Sequence, residues 1–96
     1  MIKHVVMWKF KNENKQENME KARDMLLALP AIISDLKKME VHFDITHSDM
    51  SMDMMLDTEF LSVEDMKAYA VHPEHLKVVE FIKSVIESRV VLDSEI

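Results

Sequence analysis

Glycine is absent from this chain. Turns that need a positive φ must therefore use asparagine or aspartate, or be avoided. A glycine-rich phosphate loop is excluded outright. Cysteine is absent too. Disulfides, thiolate catalysis and cysteine-ligated zinc are thereby excluded, and the absence fits a reducing cytoplasm. Basic charge is scarce: 12 Lys and Arg stand against 18 Asp and Glu, a net charge of −6. No global basic footprint for nucleic acid exists, and an anionic membrane surface is disfavoured. No apolar run is long enough to span a bilayer, and Met1-Ile2-Lys3-His4 does not open a signal peptide. Proline occurs only twice.

Apolar residues make up 48% of the 96 residues and charged residues 31%, which suits one folded domain over residues 1–96 rather than disorder. A chain this short buries a modest fraction of its surface, so an oligomer is a natural way to enlarge the core. Methionine occurs ten times. It adapts to irregular space and serves equally as core filler or as the lining of a tolerant pocket.

Hydrophobic periodicity predicts the elements in order. Residues 2–11 read as a strand. Ile2, His4, Val6, Trp8 and Phe10 lie on one face, and Lys3, Val5, Met7, Lys9 and Lys11 on the other. Both faces are apolar in the middle, as in a central strand covered on both sides. Met19, Ala22, Leu26 and Leu29 form one stripe of a helix over 15–29, which Pro30 ends. A short helical turn is expected over 31–36. Residues 39–46 alternate strictly, with Met39, Val41, Phe43 and Ile45 facing one way. A third strand is expected over 52–60. Ser62 caps a helix over 63–71, which breaks at His72-Pro73 and resumes to about Glu87. Its expected stripe is Leu76, Val79, Ile82 and Ile86, broadened by Val78 and Val85. A last strand spans 89–93. The order β-α-β-β-α-β is the ferredoxin-like, split βαβ pattern of the α+β class. It implies a four-stranded antiparallel sheet with both helices on one face. The other face still carries Val5, Met7 and Met55, so a homodimer through that open sheet face is expected.

The chemistry concentrates in Tyr69-Ala70-Val71-His72-Pro73-Glu74-His75. Pro73 suits the first position of a helix, where its missing N–H costs nothing. His72 then sits at the cap. His75 lies in the first turn, where the positive end of the helix dipole disfavours imidazolium. A neutral imidazole there can accept a proton near pH 7. The structural alternative is that Tyr69 and His75 only brace the break. His72 and His75, three apart, lack an evident third ligand, so neither a metal nor a cofactor is expected.

Together with Ile2-Lys3-His4-Val5-Val6, the run from Ser51 to Phe60 and Arg89-Val90-Val91-Leu92-Asp93, this stretch resembles the stress-responsive A/B barrel (Dabb) family over about residues 2–95. The resemblance implies a ferredoxin-like subunit that dimerises through its sheets into an α+β barrel. Most members have no established activity. One plant branch, the olivetolic acid cyclases, closes a linear tetraketide by aldol-type condensation. Its tyrosine and second signature histidine correspond to Tyr69 and His75, and a first-strand histidine to His4. Family members usually carry glycine where His42 follows Glu40-Val41.

Two functions follow as expectations. In the first, the protein is a pocket enzyme using His/Tyr acid–base chemistry on a carbonyl, polyketide-like compound. His75 and Tyr69 are then catalytic, and His4, Val6, Trp8 and His72 contact the substrate. In the second, it is a non-catalytic, stress-associated protein that binds a small apolar ligand. The expected pocket lies between sheet and helices, with Tyr69 and His75 at its mouth.

Overall fold

A computed structural model describes residues 1–96. The elements are β1 (Ile2–Phe10), α1 (Lys15–Leu27), a 3-10 turn (Leu29–Ala31), β2 (Lys38–Phe43), β3 (Met54–Phe60), α2 (Val63–Ala70), α3 (Pro73–Val85) and β4 (Ile86–Glu95). The strands form one antiparallel sheet in the order β2-β3-β1-β4. This is the ferredoxin-like α+β fold. No helix is long and apolar enough to cross a membrane.

The alternation in β1 sends Val6, Trp8 and Phe10 into the core, where they join Met54, Leu56 and Phe60 from β3. Met19, Ala22 and Leu26 of α1 and Val78 and Ile82 of α3 close over them from the same side of the sheet. Thr58 is the one buried polar residue. Its hydroxyl donates to the His4 carbonyl at 2.7 Å, so the buried group is satisfied.

Several boundaries differ from the periodicity, each for a local reason. β2 stops at Phe43, and Ile45 is 88% exposed instead of core-facing. The Asp44 carboxylate accepts the His47 N–H at 2.7 Å and turns the chain out of the ladder. β3 starts at Met54 because Asp53 aims its carboxylate at the Phe10 N–H, 2.7 Å away. The two positive-φ residues are Asn14 and His47. The first is of the expected type, whereas the second is a histidine in a position glycine would occupy more easily.

Helix α3 ends at Val85, and β4 starts at the next residue, so the strand is longer than its central motif. The buried stripe of α3 runs through Val78 and Ile82, with Phe81 and Val85 partly buried, while Leu76 is exposed. Val78, Ile82 and Val85 belong to the expected stripe, and its Leu76–Val79 edge is the part left exposed.

The face of the sheet opposite the helices carries Val5 and Met7 from β1, Met55 from β3, and Val90 and Leu92 from β4, in register across the sheet. At one end of this face Lys3 bridges Asp57 at 2.9 Å and Glu59 at 3.3 Å.

Phe10 is fully buried. Phe10→Ala is expected to lower the unfolding free energy by about 3–5 kcal/mol. Ser62 accepts the Asp65 N–H at the start of α2, and Ser62→Ala should cost only about 1 kcal/mol. Urea unfolding midpoints measure both, and equal losses would contradict this core.

Candidate functional site

A cavity of about 410 Å³ opens between the helices and the sheet. Its size falls in the range of small-molecule sites. Of its 16 lining residues, 11 are hydrophobic. His4, Val6 and Trp8 from β1 line it together with Tyr69 and His75. These residues come from β1 and, about sixty residues later, from the consecutive helices α2 and α3. Alternation along β1 puts its three side chains on one face, and the α2–α3 break brings the other two above them.

The break builds the polar part of the site. The last carbonyls of a helix have no partner within it. The Ala70 carbonyl, at the end of α2, lies 3.0 Å from Nδ1 of His75. A carbonyl can only accept, so Nδ1 carries the proton and donates. Nε2 is then the lone-pair nitrogen. The rings of Tyr69 and His75 stack at 4.2 Å between centroids with a tilt of 41°. Phe60 backs the tyrosine at 5.1 Å.

His72 takes a different place from the substrate contact expected of it. It does not line the cavity. Its Nδ1 accepts the Glu74 N–H at 3.1 Å and so caps α3. A histidine immediately before a helix-opening proline is already at the capping position, and its ring is used there.

Tyr69 is 2% exposed, and its hydroxyl has no hydrogen-bond partner. Such a group is uncommon, because an unmade buried hydrogen bond costs about 1–3 kcal/mol. Burial also pushes the phenol pKa well above the ordinary tyrosine range. Tyr69 therefore stays protonated and is a donor without an acceptor. His75 shifts the other way. Burial lowers its pKa, the hydrogen bond to the Ala70 carbonyl opposes this, and the charges of His4, Arg89 and His72 lower it further.

His4 pairs through Nδ1 with the Asp93 carboxylate on the neighbouring strand β4. The carboxylate accepts, which leaves Nε2 of His4 as the free nitrogen. Periodicity did not single out Asp93, nor the lining residues Lys67, Lys83 and Arg89. The cross-strand register Trp8↔Arg89 and His4↔Asp93 sets the two β4 residues beside the cavity-lining residues of β1.

The His75 imidazole should titrate below its ordinary value of 6.5. The unfolded chain then takes up this proton at a higher pH than the folded chain. The contribution of His75 to stability is complete above pH 6.5 and is lost as pH falls through the folded midpoint. An NMR titration of the His75 Cε1–H signal, assigned with His75→Gln, measures that midpoint. A value at or above 6.5 would refute this account of the buried ring.

A family model described as the Stress Responsive A/B Barrel Domain matches residues 2–96. Stress-response A/B barrel domain-containing protein DABB1 of Arabidopsis thaliana is 28% identical over 97 residues, covering 97% of this chain and 46% of that protein. The chain thus spans about half the length of the curated relative it matches. A solved dimeric protein of unknown function and ferredoxin-like fold from Bacteroides fragilis superposes with a TM-score of 0.91 at 32% identity, covering 99% of this chain and 95% of that one. The hydroxynitrile lyase of Passiflora edulis superposes with a TM-score of 0.86 at 18% identity, covering 97% and 90%, a likeness of fold. With its sheet order, its helix break and a family match over nearly its whole length, the chain belongs to the stress-responsive A/B barrel family.

Proposed function

We propose that the cavity moves a proton on a small carbonyl compound, with His75 as the base and Tyr69 as the hydrogen-bond donor. The observation that carries this reading is the buried Tyr69 hydroxyl without an acceptor, stacked beside a histidine whose Nε2 is unprotonated. Abstraction of a proton next to a carbonyl breaks a C–H bond and forms an N–H bond at Nε2. The electron pair moves onto the carbonyl oxygen. A phenol that stays protonated can stabilise that oxyanion by a hydrogen bond. A histidine with a lowered pKa is in its basic form at neutral pH, as the step requires. His4, held by Asp93, has its second nitrogen free to orient a substrate hydroxyl. Val6 and Trp8 supply apolar contact. The same fold carries a hydroxynitrile lyase in Passiflora edulis, an analogy of architecture only.

The assay needs no foreknowledge of the substrate. Exchange of carbon-bound hydrogen for deuterium in heavy water reads proton abstraction across a panel of ketones, aldehydes and polyketide-like compounds. His75→Ala should lower the exchange rate by about 10²–10⁴-fold, and Tyr69→Phe by about 10²–10³-fold. Tyr69→Phe should not lower the melting temperature, because it removes an unpaired hydroxyl, whereas His75→Ala loses the bond to the Ala70 carbonyl and about 1 kcal/mol with it. The apolar lining, 11 of 16 residues, favours a second reading, a non-catalytic binder of small apolar ligands. Ligand binding without exchange in any panel member would establish that reading instead.

We further infer that this chain pairs with a second copy through the open sheet face, as an α+β barrel requires. The Bacteroides fragilis relative is dimeric, and Val90 and Leu92 on this face are 47% and 66% exposed beside Val5, Met7 and Met55. Met7→Asp would bury a carboxylate without a partner. Sedimentation at micromolar concentration should therefore find a dimer for the native chain and a monomer for this variant. A native monomer would sink the inference.

A further inference from the structure

The acid–base reading leaves three lining residues unused. Lys67 on α2, Lys83 on α3 and Arg89 on β4 all border the cavity. None of them makes an ion pair within 4 Å or a side-chain hydrogen bond, although Lys3, Lys15, Lys38 and Lys77 all find carboxylates. The imbalance runs against composition. The chain has 18 acidic and 12 basic residues, yet the cavity is bordered by three of the cations and by no Asp or Glu. Asp93, on the same strand as Arg89, is held by His4.

Three cations without counter-ions, gathered from three elements around an apolar cavity, set up a positive potential there. A low-dielectric wall concentrates such a field into the opening. The charge of Arg89 reaches the His75 ring. At the inner end the Tyr69 hydroxyl offers one donor. Between donor and cations the wall is mostly apolar. The complement of this surface is a molecule with an apolar body and one anionic group.

We infer that the ligand of this cavity is an apolar carboxylic acid, bound as its anion with the carboxylate at Lys67, Lys83 and Arg89. The inference rests on the cavity being a small-molecule site and names the class of molecule it takes. Lys and Arg at the opening hold the carboxylate and select against neutral and cationic molecules of the same shape. Such selection also fixes which end of the ligand enters first, so the end remote from the carboxylate, with the carbonyl of the proposed reaction, is the part that reaches Tyr69 and His75.

A matched pair of fluorescent probes tests this. Anilinonaphthalene sulfonate and phenylnaphthylamine share an apolar body and differ by one negative charge. Occupancy of the cavity is read by movement of the His75 Cε1–H signal, so that binding to the open sheet face is not counted. The sulfonate should bind more tightly than the amine and be displaced by decanoate but not by decanol at equal concentration. The double variant Lys83→Glu with Arg89→Glu should weaken the sulfonate about tenfold, two exposed charges acting together, and leave the amine within about twofold. Lys67→Gln should show the same sign with a smaller effect. Circular dichroism checks that each variant is folded. Equal binding of the two probes, or equal losses in the variants, overturns the anion inference and leaves the small-molecule pocket standing. If neither probe moves the His75 signal, the pocket itself is refuted, and this inference with it.

Discussion

The hydrogen bond from the His75 ring to the Ala70 carbonyl spans the gap between two helices, and the candidate site depends on it. Helix α2 ends with a carbonyl that needs a donor. Pro73 interrupts the helix, because it lacks the N–H that a continuous helix would aim at the Tyr69 carbonyl, and the Glu74 N–H that would serve Ala70 goes to the His72 ring. A side chain from the next turn supplies the donor instead. This one contact fixes the tautomer of His75 and holds its ring over Tyr69 at 4.2 Å. His72 completes the junction by capping α3. Val78 and Ile82 dock α3 onto the sheet.

The site takes its character from what this junction buries and leaves unpaired. Burial keeps the phenol of Tyr69 protonated and makes His75 less basic. The same physical cause acts in opposite directions on the two pKa values, because the charged form is the anion in one and the cation in the other. Both groups are therefore neutral at the same pH, one with a proton to share and one with a lone pair to offer. The unpaired Tyr69 hydroxyl costs the folded chain stability. His4 differs in that its carboxylate partner lies on the adjacent strand.

The strands β1 and β3, the stripe of α1, the cap at Ser62 and the opening of a helix at Pro73 were all legible in the residues. Each depends on neighbours a few positions away, and periods of two and 3.6 report such arrangements directly. Ile45 shows the limit. Its alternation continues that of β2, but the Asp44 side chain captures a backbone N–H and ends the strand first. Leu76 shows another limit, since its spacing fits a buried stripe that the docking of α3 leaves exposed.

By itself the sequence determined the fold class, the location of the helix break and the pairing of a tyrosine with a histidine around it, because these follow from local geometry and short spacings. Only the tertiary structure decided that the His72 ring is spent on the Glu74 N–H and stays out of the cavity, while His75 lines it. It alone placed Asp93 against His4 and set Lys67, Lys83 and Arg89 around one opening. Those meetings join residues of β1, α2, α3 and β4, and the register and packing that create them exist only once the chain has folded.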